Sequence, residues 1–201
     1  MTAAPESSRY TTVAIILHWL IAILLVSLIA VGWWMEDLGE AARAGEISFD
    51  FTRAVYNWHK TIGILVLLLS LARLGWRFTH PVPALPSTMK SWEALGARAA
   101  HIGFYVVMIG MPLIGWAMVS HSSLPTRLFN VEGFNLPGLP VPESEFLHEA
   151  LESAHSAGAW VIIVLLVLHA GAALKHHFLD RDGVLNRMVP GLNVPPQNTT
   201  D

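Results

Sequence analysis

The chain has no cysteine, which excludes disulfides, thiolate nucleophiles, Cys-ligated iron–sulfur clusters and the thioether attachment of a c-type haem. Any redox chemistry must therefore rest on a noncovalent cofactor. Formal charge is also scarce, at 13% of residues against 53% hydrophobic. With a mean hydropathy of +0.49, that balance excludes an ordinary water-soluble domain and indicates an integral membrane protein. A basic excess is missing too. The formal net charge is −3 and the pI is near 6.3, so the footprint of a nucleic-acid binder is absent. What the 201 residues do hold is ten His and eight Trp.

Four apolar stretches are long enough to cross a bilayer. Val13 to Trp34 contains 22 residues without a formal charge, about 33 Å as a helix. It ends in Trp33, Trp34, Glu36 and Asp37, an aromatic anchor at an interface and not the small-residue cleavage site of a signal peptide. Tyr56 to Phe78 is the second and carries Arg73 and Arg77 in its last turns, where they can snorkel to a polar surface. Ala99 to Val119 is the third; Ala157 to Leu174, extended back to His155, is the fourth. These predict an all-α, four-helix membrane bundle over 9–190, with helices at about 13–34, 56–78, 99–119 and 155–177.

The connections are irregular. Pro81, Pro83 and Pro86 interrupt any helix after the second span, and Ser87 can start a short interfacial one. His121 to Glu145 holds four prolines and two glycines and reads as a loop covering one membrane face, after which helical spacing resumes. Residues 191–201 are rich in Pro, Asn and Thr and predict a disordered tail.

Orientation follows from the distribution of Lys and Arg. One side carries Arg9, Arg73, Arg77, Lys90, Arg98, Lys175, Arg181 and Arg187, and the other only Arg43, Arg53, Lys60 and Arg127. The richer side is expected to be cytoplasmic, with both termini there. The outer segments set four cations against ten carboxylates, a net charge of −6.

An ionisable side chain inside a span is costly unless it faces the bundle interior and finds a partner. His18 and His169, on helices running in opposite directions, each stand five residues from the cytoplasmic end of their apolar run. His59 and His155 share a depth near the other interface. His155 and His169 are 14 residues apart on the fourth helix, about 21 Å and nearly four turns, so they point the same way within roughly 40°. One helix can thus offer axial nitrogens to two cofactors stacked across the membrane, with the first and second helices supplying the opposing ligands. Two trans imidazoles leave a haem iron no open position, which suits electron transfer. Gly63, Gly158, Ala170, Gly171 and Ala172 would let a flat porphyrin approach the backbone. His101 is a candidate neighbour of a haem propionate or quinone and an understudy ligand for the cytoplasmic pair, and Arg73, Arg77 and Tyr105 are candidate neighbours of a cytoplasmic haem or quinone. His80, His121, His148, His176 and His177 are expected to be mostly solvated. The competing reading of a membrane histidine is a plain interhelical hydrogen bond. Another class of function is a histidine-lined metal or proton transporter, against which stands the lack of intramembrane Asp or Glu beside these histidines.

Several segments carry a family likeness: LHWLIA around His18, NWHKTIGILVLLLSLARLGWRF around His59, AAHIGFYVVMIGMPLIGWAMV around His101, and AHSAGAWVIIVLLVLHAGAALKHHF with the LNRMVP that follows. Over about residues 9–190 the chain resembles the bacterial dihaem cytochrome b561 family. The resemblance implies a bundle in the bacterial inner membrane holding two noncovalent b haems. It assigns His18 and His169 as iron ligands on the cytoplasmic side, and His59 and His155 on the periplasmic side. It further implies electron exchange with ubiquinone, and in part of the family the oxidation of superoxide at the outer surface. Because the outer face is acidic, a superoxide anion would need a local cationic guide, for which Lys60 beside His59 is the candidate. The alternative within redox chemistry is a quinone-linked anchor for a separate dehydrogenase or periplasmic redox protein, docked on the acidic outer loops. No residue is expected to act as a catalytic acid, base or nucleophile.

Overall fold

The computed structural model describes residues 9–86, 89–189 and 191–192. Of the expected tail only Gly191 and Leu192 fall among them, and the rest lies outside the described residues. Thr11 caps the first helix, its Oγ1 accepting the Ala14 N–H at 3.3 Å, and α1 then runs Thr12–Arg43. It continues well past the apolar run that ends at Trp34. Gly45, at φ +76°, takes the left-handed turn that a side chain would resist, and α2 follows as Phe49–Thr79. Pro81, Pro83 and Pro86 hold the next stretch out of helix. The third helix, α3, is Ser91–Met118. Ser144 caps α4, Glu145–Lys175, by accepting from Leu147 N–H, and a π-helical turn, His176–Asp180, extends it.

All four helices are long and apolar enough to cross a membrane. The protein is therefore a four-helix membrane bundle in which α1 begins and α4 finishes at the same end, called the terminal end; the opposite end is distal. Among the described residues there is no strand, only an isolated bridge between Arg127 and Asn135. The separate interfacial helix expected from Ser87 does not form among them: Ser87 lies outside, and the helical turns beyond it belong to α3. They start at Ser91 because the Glu93 carboxylate accepts the Lys90 N–H at 3.0 Å. His101 consequently stands well inside α3.

Helix α1 packs on α2, α2 on α3 and α3 on α4, whereas α1 and α4 make no comparable backbone approach. The interior is narrow, with Ile21 and Leu25 of α1, Val66 and Leu67 of α2, Met108 of α3 and Ile162 of α4 at its centre. Ile16, Ile23, Val106 and Val167 point outward, as they must where lipid and not water surrounds the bundle.

Polar ties hold both ends. At the terminal end the Lys175 ammonium bridges Glu93 at 2.6 Å and Asp180 at 2.7 Å, clasping α3 to the end of α4. His176 Nδ1 pairs with Asp182 at 2.6 Å, Trp19 Nε1 donates to the Met188 carbonyl at 2.8 Å, and Arg187 donates to the Ala84 carbonyl. His176 and His177 are thus buried, a correction to the expectation of solvated residues: the π-helical turn folds them back against the bundle. Glu93, His176 and Asp180 come close enough to suggest a metal site, but the Lys175 ammonium already bridges both carboxylates.

At the distal end the loop between α3 and α4 is fastened to α2. Buried Asn57 donates to Asn130 Oδ1 at 2.9 Å and accepts from the Arg127 N–H, while buried Thr61 accepts from the Phe129 N–H at 3.1 Å. Phe129 and Asn130 both adopt left-handed backbone, φ +53° and +57°. Such conformations cost on the order of 1–3 kcal/mol each, which these side-chain bonds offset.

Candidate functional site

The bundle interior brings imidazoles together at two depths. At the distal depth, His59 of α2 and His155 of α4 have ring centroids 6.4 Å apart. At the terminal depth, His18 of α1 and His169 of α4 are 6.1 Å apart. Two imidazoles bound trans across one metal, with metal–nitrogen bonds of roughly 2.0–2.1 Å, have centroids about 6 Å apart. Both pairs meet that spacing. His101 also faces His169, at 5.7 Å, and Phe104 closes the group at 5.3 Å from the same ring.

The distal pair lines a cavity of about 1130 Å³ enclosed by all four helices, with Leu25, Gly32, Gly63 and Met108 on its walls. Ordinary small-molecule pockets hold about 300–1,000 Å³, so this one admits a porphyrin. Trp33 and Trp160 meet across it at 6.0 Å. His59 Nδ1 is buried without a hydrogen-bond partner, which in a satisfied interhelical contact would be a cost of about 1–3 kcal/mol. Gly63 has open space before it, as expected of a residue beside a flat ligand. Gly158 does not: the side chain of Met111 fills the space where its Cβ would stand. These residues fit a haem held between His59 and His155.

A register that only α4 displayed in the histidine pattern extends to every helix. Arg73 lies 14 residues after His59, Gly32 after His18 and Gly115 after His101, and each of them meets a histidine. Arg73 Nη1 is 2.7 Å from His18 Nδ1. A Cβ on Gly32 would lie 3.6 Å from His59 Cε1, and one on Gly115 only 3.1 Å from His155 Cε1. All four helices therefore address both depths, with five imidazoles, one guanidinium and two glycines.

The mouth of the distal cavity mixes charges. Lys60, Glu36, Glu149 and Glu152 all line it, and the Lys60 ammonium donates to Thr126 Oγ1 of the overlying loop at 3.2 Å. Lys60 is therefore at the cavity as its position beside His59 suggested, but tied to the loop and outnumbered by carboxylates. The remaining histidines keep away from both depths: His80 stacks on Trp76 at 3.7 Å, and His121 Nε2 donates to the Val141 carbonyl at 2.7 Å.

A membrane bundle with imidazoles paired in its interior defines a class, the b-type membrane cytochromes, in which haem is held by histidine alone. The family model for prokaryotic cytochrome b561 matches residues 9–191, and the chain belongs to that family. Cytochrome b561 homolog 2 of Escherichia coli (strain K12) is 31% identical over 198 residues, covering 94% of each chain. The probable superoxide oxidase CybB of Yersinia pestis is 26% identical over 190 residues, 90% of this chain and 96% of that protein. The probable Ni/Fe-hydrogenase B-type cytochrome subunit of Cupriavidus necator (strain ATCC 17699 / DSM 428 / KCTC 22496 / NCIMB 10442 / H16 / Stanier 337) is 24% identical over 208 residues, covering 87% and 81%. The protein is thus a multi-pass bacterial membrane electron carrier of the b type.

Proposed function

We propose that the chain holds two haem b groups, one between His59 and His155 and one between His18 and His169, and that it oxidises superoxide at the periplasmic face and reduces ubiquinone. The observation that carries the reading is the pair of facing imidazoles at each depth, at 6.1 and 6.4 Å. Bound haem supplies reversible one-electron chemistry. The chain would hold the two groups with one histidine of each pair from α4 and the other from α1 or α2, a histidine-only donor set suited to electron transfer. His101 is assigned beside the second haem and not to its iron. Its helix packs directly on α4, so it lies alongside His169, while α1 leaves room opposite. The Lys and Arg census supports a cytoplasmic terminal end, and with it a distal cavity that opens to the periplasm. The name of the Yersinia pestis relative supports the superoxide reading.

The three glutamates at the cavity mouth favour a second reading, in which a periplasmic redox protein with a basic surface docks there. One experiment separates them. Purified protein alone in detergent should yield about two protohaems per chain by pyridine haemochrome analysis; superoxide should then produce the reduced b-type spectrum, and added ubiquinone should reverse it. A fully loaded protein that superoxide does not reduce supports the docked-partner reading. A folded, active protein without haem would remove both.

A further inference from the structure

We propose that the small cavity beside Arg73 is a carboxylate subsite for the cytoplasmic haem, in which Arg73 would pair with a propionate. The inference rests on the assignment of His18 and His169 as its ligands. Two demands on the hydrogen bonding of His18 conflict. A guanidinium has five donors and no acceptor, so at 2.7 Å from Arg73 Nη1 the Nδ1 of His18 accepts. In a neutral imidazole the other ring nitrogen then carries the hydrogen and has no lone pair to give a metal. A metal-bound histidine does the reverse, donating its distal N–H to an acceptor. Arg73 and iron cannot both hold His18, so Arg73 must find another partner.

The space next to it says which. A cavity of about 30 Å³ is lined by Arg73, Arg77, Tyr10, Tyr105, Thr11 and Trp76, among other residues. A buried water needs about 10–15 Å³, so the cavity suits a group of two or three heavy atoms and not a quinone ring, whose pocket would be about ten times larger. Two of the side chains are cations, and no Asp or Glu lines the space. Thr11 and Ala14, which contribute to its wall, stand one to two turns before His18 on α1, roughly 6–10 Å nearer the terminal end. Haem b carries two propionate carboxylates on one edge, and a planar guanidinium matches a carboxylate through two parallel bonds where an ammonium cannot.

The test uses full-length protein in detergent, depleted of haem and titrated with haem b or with haem b dimethyl ester, whose propionates are neutral. The cytoplasmic site is the one whose spectrum disappears in His169→Ala. In the parent protein that site should take haem b at least about tenfold more tightly than the ester. Arg73→Gln should weaken haem b there by a similar factor and abolish the discrimination, and Arg73→Lys should restore only part of it; the His59–His155 site serves as the internal reference in each variant. Equal binding of acid and ester at the His169-dependent site of the parent overturns the subsite, as does full discrimination in Arg73→Gln. A parent that takes up haem with no His169-dependent component overturns the ligand assignment itself, a distinct result. The parent comparison does not depend on Arg73→Gln, so poor folding of that variant does not blunt it.

Discussion

Gly115 of α3 leaves the imidazole of His155 barely enough room: a Cβ there would stand 3.1 Å from Cε1 and 3.4 Å from Nδ1. A methyl group would push the ring by a few tenths of an ångström out of line with His59. Gly115→Ala should therefore weaken or split the distal haem signal in optical and low-temperature EPR spectra, at a stability cost of about 1–3 kcal/mol from overpacking. Gly32→Ala is the control. Its Cβ would sit at an ordinary 3.6 Å from His59, so the shift in ligand orientation there should be the smaller of the two. Equal tolerance at both positions would mean that His155 is not held in the orientation described.

Axial pairing predicts selective loss. His155→Ala should remove the periplasmic haem and His169→Ala the cytoplasmic one, each lowering the haemochrome yield from about two to about one per chain. His101→Ala should leave both. If His101→Ala abolished the cytoplasmic haem while His18→Ala retained it, the ligand opposite His169 would be the imidazole on α3.

The loop over the distal cavity depends on one buried amide. Asn57→Ala removes a donor to Asn130 and an acceptor for Arg127 N–H, leaving half-buried groups unpaired at about 1 kcal/mol each. The strained backbone at Phe129 and Asn130 loses its support at the same time. Limited proteolysis of the detergent-solubilised protein should cut within residues 119–144 far faster than in the parent, with the helices still intact. A loop equally resistant in the variant would show that the ring contacts of Phe129 with Trp58 and Phe134 suffice to hold it.

The four spans are legible in the lengths of the apolar runs, because a bilayer imposes one length on every crossing. The matched depths of His18 with His169 and of His59 with His155 follow from the same helical rise. Other features lie beyond such patterns. The register of 14 residues is present on all four helices, but Gly32, Gly115 and Arg73 differ in type from histidine, and only packing shows that they address the same two depths. Burial of His176 and His177 escapes a sequence reading because a π-helical turn has no sequence period to announce it. The clasp of Asn57 and Thr61 on the loop joins residues about 70 positions apart, out of reach of local pattern.

Lys60 tests the direction and substrate together. Its ammonium lines the distal cavity with Glu36, Glu149 and Glu152, so an approaching superoxide anion meets one attraction among three repulsions. At a separation of about 8 Å in water a unit charge contributes roughly 0.5 kcal/mol, about a twofold change in rate. Lys60→Gln should therefore slow superoxide-driven haem reduction about twofold in stopped-flow mixing, with haem content unchanged. Glu149→Gln or Glu152→Gln should speed it by a similar factor. The two signs matter more than either size, because loosening of the loop through the lost Thr126 contact could alter access in Lys60→Gln but has no reason to make the glutamate variants faster. Salt should shrink all three effects, since screening at physiological ionic strength acts over about 8 Å. For a docked basic protein the glutamate variants should instead become slower with that partner. Rates that move in neither direction when these charges are removed would take the cavity mouth out of the entry path for any charged reactant.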